Sequence, residues 1–106
     1  MLLVREVFHC KPGKVRPFVE KFLKMSDLNE KAGMGKFRIM TDFTGPRYWT
    51  LVAEIEVPNL AAFEDMISGK GMSEETGKEF EKLMQGYHEL IESGHREIFK
   101  IEEAKA

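Results

Sequence analysis

Apolar residues recur along the chain with two rhythms, one suited to strands and one to helices. Leu2 to His9 is short and rich in β-branched and aromatic side chains, and Pro12-Gly13 closes it, which predicts strand one. From Lys14 onward Val15, Phe18, Val19, Phe22 and Met25 repeat at three and four. A helix therefore runs to about Lys31, with Pro17 tolerated in its first turn and Gly33 and Gly35 ending it. Lys36 to Phe43 alternates Phe37, Ile39, Thr41 and Phe43 against Lys36, Arg38, Met40 and Asp42, and Gly45-Pro46 turns the chain. Arg47 to Val57 alternates again, with Trp49, Leu51, Ala53, Ile55 and Val57 on one side and Tyr48, Thr50, Val52, Glu54 and Glu56 on the other, so strands two and three form a hairpin.

Pro58 stops strand three, and Asn59 is an N-cap for a short helix over Leu60 to Ile67. Ser68 to Met72 is a linker, and its Gly69-Lys70-Gly71 is too short for a phosphate loop and follows no strand. Ser73 begins a third helix, with Glu74 and Glu75 near its positive end and Phe80, Leu83, Met84, Tyr87, Leu90 and Ile91 as its buried stripe. Gly94 is expected to end that helix. His95 to Ile101 returns as strand four, and Glu102, Glu103 and Lys105 form a frayed tail.

Strand, helix, strand, strand, helix, strand is the split βαβ order, so the expected fold class is α+β and ferredoxin-like: a four-stranded antiparallel sheet with its helices on one face. The other face is left with Tyr48, Val52 and either Val4 with Phe8 or Leu3 with Val7, too much apolar surface for a small monomer to leave wet. A second sheet is expected to cover it, which makes the protein a homodimer. At 106 residues, 42% hydrophobic and 32% charged, the chain is one domain spanning 1–106.

Charge adds one feature. The net charge is −2, yet residues 1–58 carry +3 and residues 59–106 carry −5. The basic residues Lys11, Lys14, Arg16, Lys21 and Lys24 interleave with Phe18, Val19 and Phe22 as the wet side of a helix would, and no aromatic-plus-basic stripe accompanies them, so no nucleic-acid partner is expected. Met1 to Val4 is broken at once by Arg5 and Glu6, so neither a membrane anchor nor a signal peptide is expected, and the chain is placed in the cytoplasm. Cys10 is a lone cysteine at a strand end and is expected to be a small buried thiol. His9, His88 and His95 lack the spacing of metal ligands, so no metal site is expected.

Lys11-Pro12-Gly13-Lys14 before an amphipathic helix, and Tyr48 to Val57 followed by Asn59-Leu60-Ala61-Ala62-Phe63-Glu64, resemble the dimeric α+β barrel superfamily, nearest to its NIPSNAP-like and antibiotic-biosynthesis-monooxygenase-like branches. The resemblance covers nearly the whole chain in element order. It implies two sheets facing each other around a cleft that holds a small hydrophobic or aromatic ligand, but not one activity, since such barrels include oxygenases, isomerases, cyclases and ligand sensors. Haem-degrading members use an Asn on strand one, a Trp at the end of strand three and a His on the following helix. The matching positions here are Glu6, Glu56 and about Met66, with Trp49 and His88 displaced, so haem degradation is not expected and no cofactor is assigned.

Strands one and three are neighbours in this fold, which brings Glu6 and Glu54 into consideration as a catalytic pair. Facing one cleft, two carboxylates would repel and raise one pKa toward neutrality, suiting Glu54 to act as general base; alternatively each pairs with Arg5, Arg38 or Arg96. Family alignment turns Glu6 into the cleft, whereas polarity turns Leu2, Val4 and Phe8 to the helices and leaves Arg5, Val7 and His9 in the cleft. His9 is a further titrating candidate. Phe8, Tyr48 and Thr50 are the expected substrate-binding residues. The two functions in view are a cofactor-independent oxygenase or isomerase acting on a small aromatic or polyketide-like substrate, and a non-catalytic barrel that binds a ligand or merely dimerises.

Overall fold

The structure is a computed structural model that describes residues 1–102. Four strands, β1 (Leu2–Cys10), β2 (Arg38–Thr41), β3 (Thr50–Val57) and β4 (Ile91–Lys100), form one antiparallel sheet in the order β2-β3-β1-β4. Helices α1 (Val15–Lys31), α2 (Leu60–Ser68) and α3 (Glu74–Met84), with a 3₁₀ turn at Tyr87–Leu90, complete the α+β ferredoxin-like fold. Phe18, Val19, Phe22 and Met25 of α1 are buried against Cys10, Leu51 and Ala53 of the sheet, and Val4, Ile55 and Val57 pack with Phe63 of α2. No helix among the described residues is long and apolar enough to cross a membrane.

The expected caps form. Asn59 Oδ1 accepts the Ala62 N–H at 2.8 Å, and Ser73 Oγ accepts that of Thr76 at 3.1 Å, each satisfying a donor that the first helical turn leaves unpaired. Lys21, expected on a solvated face, instead donates its Nζ to the carbonyls of Leu83 at 2.8 Å and Gln85 at 3.4 Å. An ammonium there meets the negative end of α3 and ties it to α1.

Several boundaries move. The third helix ends at Met84 rather than Gly94, because Gln85 turns extended and Gly86 adopts φ 80°. Strand four accordingly starts at Ile91, and Gly94 lies inside it, paired with Phe8. A Cβ at Gly94 would sit 2.9 Å from Phe8 Cδ1, so the glycine makes room for a ring rather than ending a helix. The hairpin strands are shorter than their alternation suggested: β2 ends at Thr41, leaving Phe43 almost fully exposed, and β3 begins only at Thr50 because Trp49 takes φ 62°. A left-handed tryptophan cannot continue a strand. Trp49 is thus half-exposed beside Tyr48 and not a core residue. Of the expected tail, Glu102 is described, while Glu103 and Lys105 lie outside the described residues.

Candidate functional site

Register decides which of the sequence-predicted residues meet. Arg5 pairs with Glu54 and Glu6 with Ala53, so Glu6 and Glu54, although on adjacent strands, point to opposite faces. The polarity reading of strand one holds: Val4, Glu6, Phe8 and Cys10 face the helices, and Leu3, Arg5, Val7 and His9 face the open side. Two expectations are corrected. Glu6 and Phe8 do not share a cleft with Glu54, His9 and Thr50, and Tyr48 lies in the β2–β3 loop, 84% exposed, not on the sheet face.

On the open face one cross-strand row reads Arg38, Glu54, Arg5, Glu97. Arg38 Nη2 donates to Glu54 Oε1 at 2.6 Å, Arg5 Nε to Glu54 Oε2 at 2.7 Å, and Arg5 Nη1 to Glu97 Oε1 at 3.5 Å. Glu54 is only 5% exposed, and the row satisfies both its oxygens. The Arg38 hydrogen bond foremost, with Arg5 beside it, holds its carboxyl below the usual glutamate range despite burial. The repulsion that would have raised it is absent because Glu6 lies on the other face. Leu3, Val7, Met40 and Val52 flank the row along a trough of about 820 Å³. At one end of it, Thr50 Oγ1 stands 3.4 Å from His9 Nδ1, and burial, then the nearby Arg47 and His95, push the His9 pKa down.

The helix-covered face holds a cavity of about 340 Å³ between the sheet and all three helices. Its walls are aromatic and thioether: Phe8, Phe22, Phe37, Phe63, Phe80 and Tyr87, with Met25, Met66 and Met84. Phe8 meets Phe18 edge-to-face at 5.1 Å and Phe22 tilted at 5.5 Å, so its ring is held by neighbours rather than free to fill the space. Polar groups enter at two places. Glu6 accepts from Arg96 Nε, and the Arg96 guanidinium lies 5.0 Å over the Phe63 ring. Asn29, fully buried, spends its amide on the carbonyls of Met34 at 3.2 Å and Gly35 at 3.1 Å, fixing the loop that leads to β2. Sequence reasoning missed Asn29 as a cavity residue. The signal was available, since it continues the Phe18, Phe22, Met25 stripe one helical step further with a polar side chain. The positions matched earlier to the haem-degrading Asn and His, Glu6 and Met66, both line this cavity, whereas Glu56 is exposed on the other side of β3. Cys10 is buried in the core, and burial raises its thiol pKa. Among the described residues no group of three His, Cys, Asp or Glu side chains could hold a metal ion.

No family model matches the sequence, and no curated protein matches it. Solved structures do. A NIPSNAP-like domain protein from Burkholderia xenovorans superposes with a TM-score of 0.73 at 11% identity, covering 99% of this chain and 89% of its own. A NIPSNAP family protein of unknown function from Agrobacterium tumefaciens gives 0.69 at 14% identity, over 93% and 86%. An antibiotic biosynthesis monooxygenase gives 0.69 at 15% identity, over 94% of this chain and 97% of its own. At such identities the likeness is one of fold, and the chain has the α+β ferredoxin-like fold that these proteins share.

Proposed function

We propose that this protein binds a small, flat, largely aromatic molecule in the cavity between sheet and helices, and does so as a homodimer. The observation that carries the reading is the cavity's composition: six aromatic rings and three methionines around one ion pair, Glu6–Arg96. Apolar walls supply affinity and a few polar groups at one side fix orientation, the usual division of labour in a ligand site. Glu6 and the guanidinium of Arg96 would meet a ligand's hydroxyl or carbonyl, with Phe8 packing on its ring. If the ligand is turned over, by cofactor-independent oxygenation or isomerisation, Glu6 is the carboxylate placed to take a proton from it. Glu54, kept ionised between two guanidinium groups, is a weak base, and its role is to hold Arg5 and Arg38 in place.

The dimer reading rests on the open face. Leu3, Val7, Met40 and Val52 lie there with none of the described helices over them, and Phe99 is 45% exposed at its edge. The charged row between them alternates in sign, so a two-fold axis that reverses it sets each arginine over a glutamate. Light scattering at micromolar concentration is expected to give about twice the 12.2 kDa chain mass.

The ligand reading is tested by titrating 2-naphthol into the isotope-labelled protein and following backbone amide shifts. Shifts are expected at Phe8, Met66, Tyr87 and Arg96, and Met66→Trp, which fills the cavity, should abolish them. Shifts confined to Arg5, Glu54 and His95 would move the site to the other face and refute the assignment.

A further inference from the structure

His9 of β1 and His95 of β4 lie side by side on the open face, ring centroids 6.4 Å apart. We infer that this pair makes assembly of the sheet-to-sheet dimer sensitive to pH, holding the dimer together when both rings are neutral and loosening it when they are protonated. The inference rests on the dimer proposed above and concerns its regulation.

The surroundings of the pair support it. From β3, Thr50 Oγ1 approaches His9 Nδ1 at 3.4 Å. From the β2–β3 loop, the Arg47 cation faces His9, and from β4 it is faced by Glu92 as well as His95. His95 has Glu97 on its own strand, with Nε2 3.0 Å from Oε2, and that glutamate is shared with Arg5 of β1. No residue of the described helices lines this face. Two new imidazolium charges would therefore join Arg5, Arg38 and Arg47 on a face whose acids are Asp42, Glu54, Glu92 and Glu97, of which Glu54 and Glu97 already bond arginine and Asp42 accepts the Thr50 N–H.

The sign follows from linkage. Burial already disfavours the charged form of His9, and a second copy laid over the trough would take both rings further from water. The dimer then binds fewer protons than two free protomers, so acid drives it apart as the pH falls through the ordinary histidine range, about 6.5. A shift of one pKa unit in one histidine of each protomer already weakens the dimer by about a hundredfold well below that range.

Sedimentation velocity over a dilution series at pH 7.5, 6.5 and 5.5 tests the inference on the native protein, His9→Gln, His95→Gln, the double variant and His88→Gln, whose imidazole lies in the 3₁₀ turn away from this face. The dimer dissociation constant of the native protein and of His88→Gln is expected to rise at least tenfold from pH 7.5 to 5.5, while that of the double variant stays flat. A native dimer whose dissociation constant is flat with pH, or a rise that survives in the double variant, overturns the switch and leaves the dimer standing. A monomer at pH 7.5 overturns the dimer reading itself. Should the double variant fail to fold, the histidine ring-proton titration of the native protein decides: a dissociation midpoint away from the His9 and His95 midpoints refutes the switch.

Discussion

The two faces of β1 carry the same chemistry to different ends. On each, a glutamate meets arginine from a neighbouring strand, Glu54 with Arg5 and Arg38 on the open side and Glu6 with Arg96 on the helix side. Glu54 sits within a continuous row of alternating charge, and both its oxygens are taken. Glu6 stands at the wall of an apolar cavity with one guanidinium beside it. A saturated carboxylate does structural work, whereas one with spare acceptor capacity facing a cavity can serve a ligand. Glu residues on adjacent strands are thus separated in role by a one-residue offset in register.

The largest expected difference between the faces is in packing. Phe8→Ala should cost about 3 kcal/mol in urea unfolding, since the ring is wedged among Phe18, Phe22 and Leu51. Next comes Glu54→Gln, which keeps the shape and strips the charge from a buried, doubly bonded group; about 2 kcal/mol is expected at pH 7. Because the Glu54 pKa is lowered on folding, its ionised form stabilises the protein above about pH 4.3, and that contribution fades as the pH falls toward the folded value. The gap between native and Glu54→Gln should therefore narrow as the pH falls below about 4.3 in parallel denaturant melts. A gap that does not narrow at all on acidification would mean the glutamine is simply a misfit.

Gly94→Ala should cost about 1 kcal/mol, because the added methyl meets Phe8 Cδ1 at 2.9 Å and pushes the ring toward the cavity. Its 2-naphthol affinity should fall by more than its stability suggests. The smallest effect is expected at Val7→Ala, on the opposite side of the strand from Phe8 and half-buried, at under about 1 kcal/mol in dilute protein. Raising the protein concentration should enlarge it, since a second copy then covers the position. Equal costs for Val7→Ala and Phe8→Ala at nanomolar concentration would erase the contrast between the faces.

Much of the architecture was legible along the chain because it depends on short-range signals. The Phe18, Val19, Phe22 stripe located α1, Asn59 and Ser73 announced their helices, and the Leu51, Ala53, Ile55, Val57 alternation oriented β3 correctly. Misreadings arose where one signal serves two structures. Gly94 reads equally as a helix end or as a strand position lacking a side chain, and only Phe8, 86 residues away in sequence and paired across β1–β4, distinguishes them. Trp49 fits the alternation of β3, but its left-handed backbone delays the start of the strand from Arg47 to Thr50. The candidate site was half legible: the arginines able to pair with Glu6 and Glu54 were identifiable, but which arginine took which glutamate was not.

The sequence by itself determined the fold class, the helix caps and the inward face of β3, because periodicity and capping act over a few residues and need no partner. Only the tertiary structure decided that Glu6 and Glu54 part company. Cross-strand register is fixed by the sum of many side-chain contacts on both faces of the sheet, and a shift of one residue reverses every side chain on the strand. In that sum Val4, Phe8 and Cys10 had to be buried under the helices, which carried Glu6 in with them and left Arg5 outside to meet Glu54.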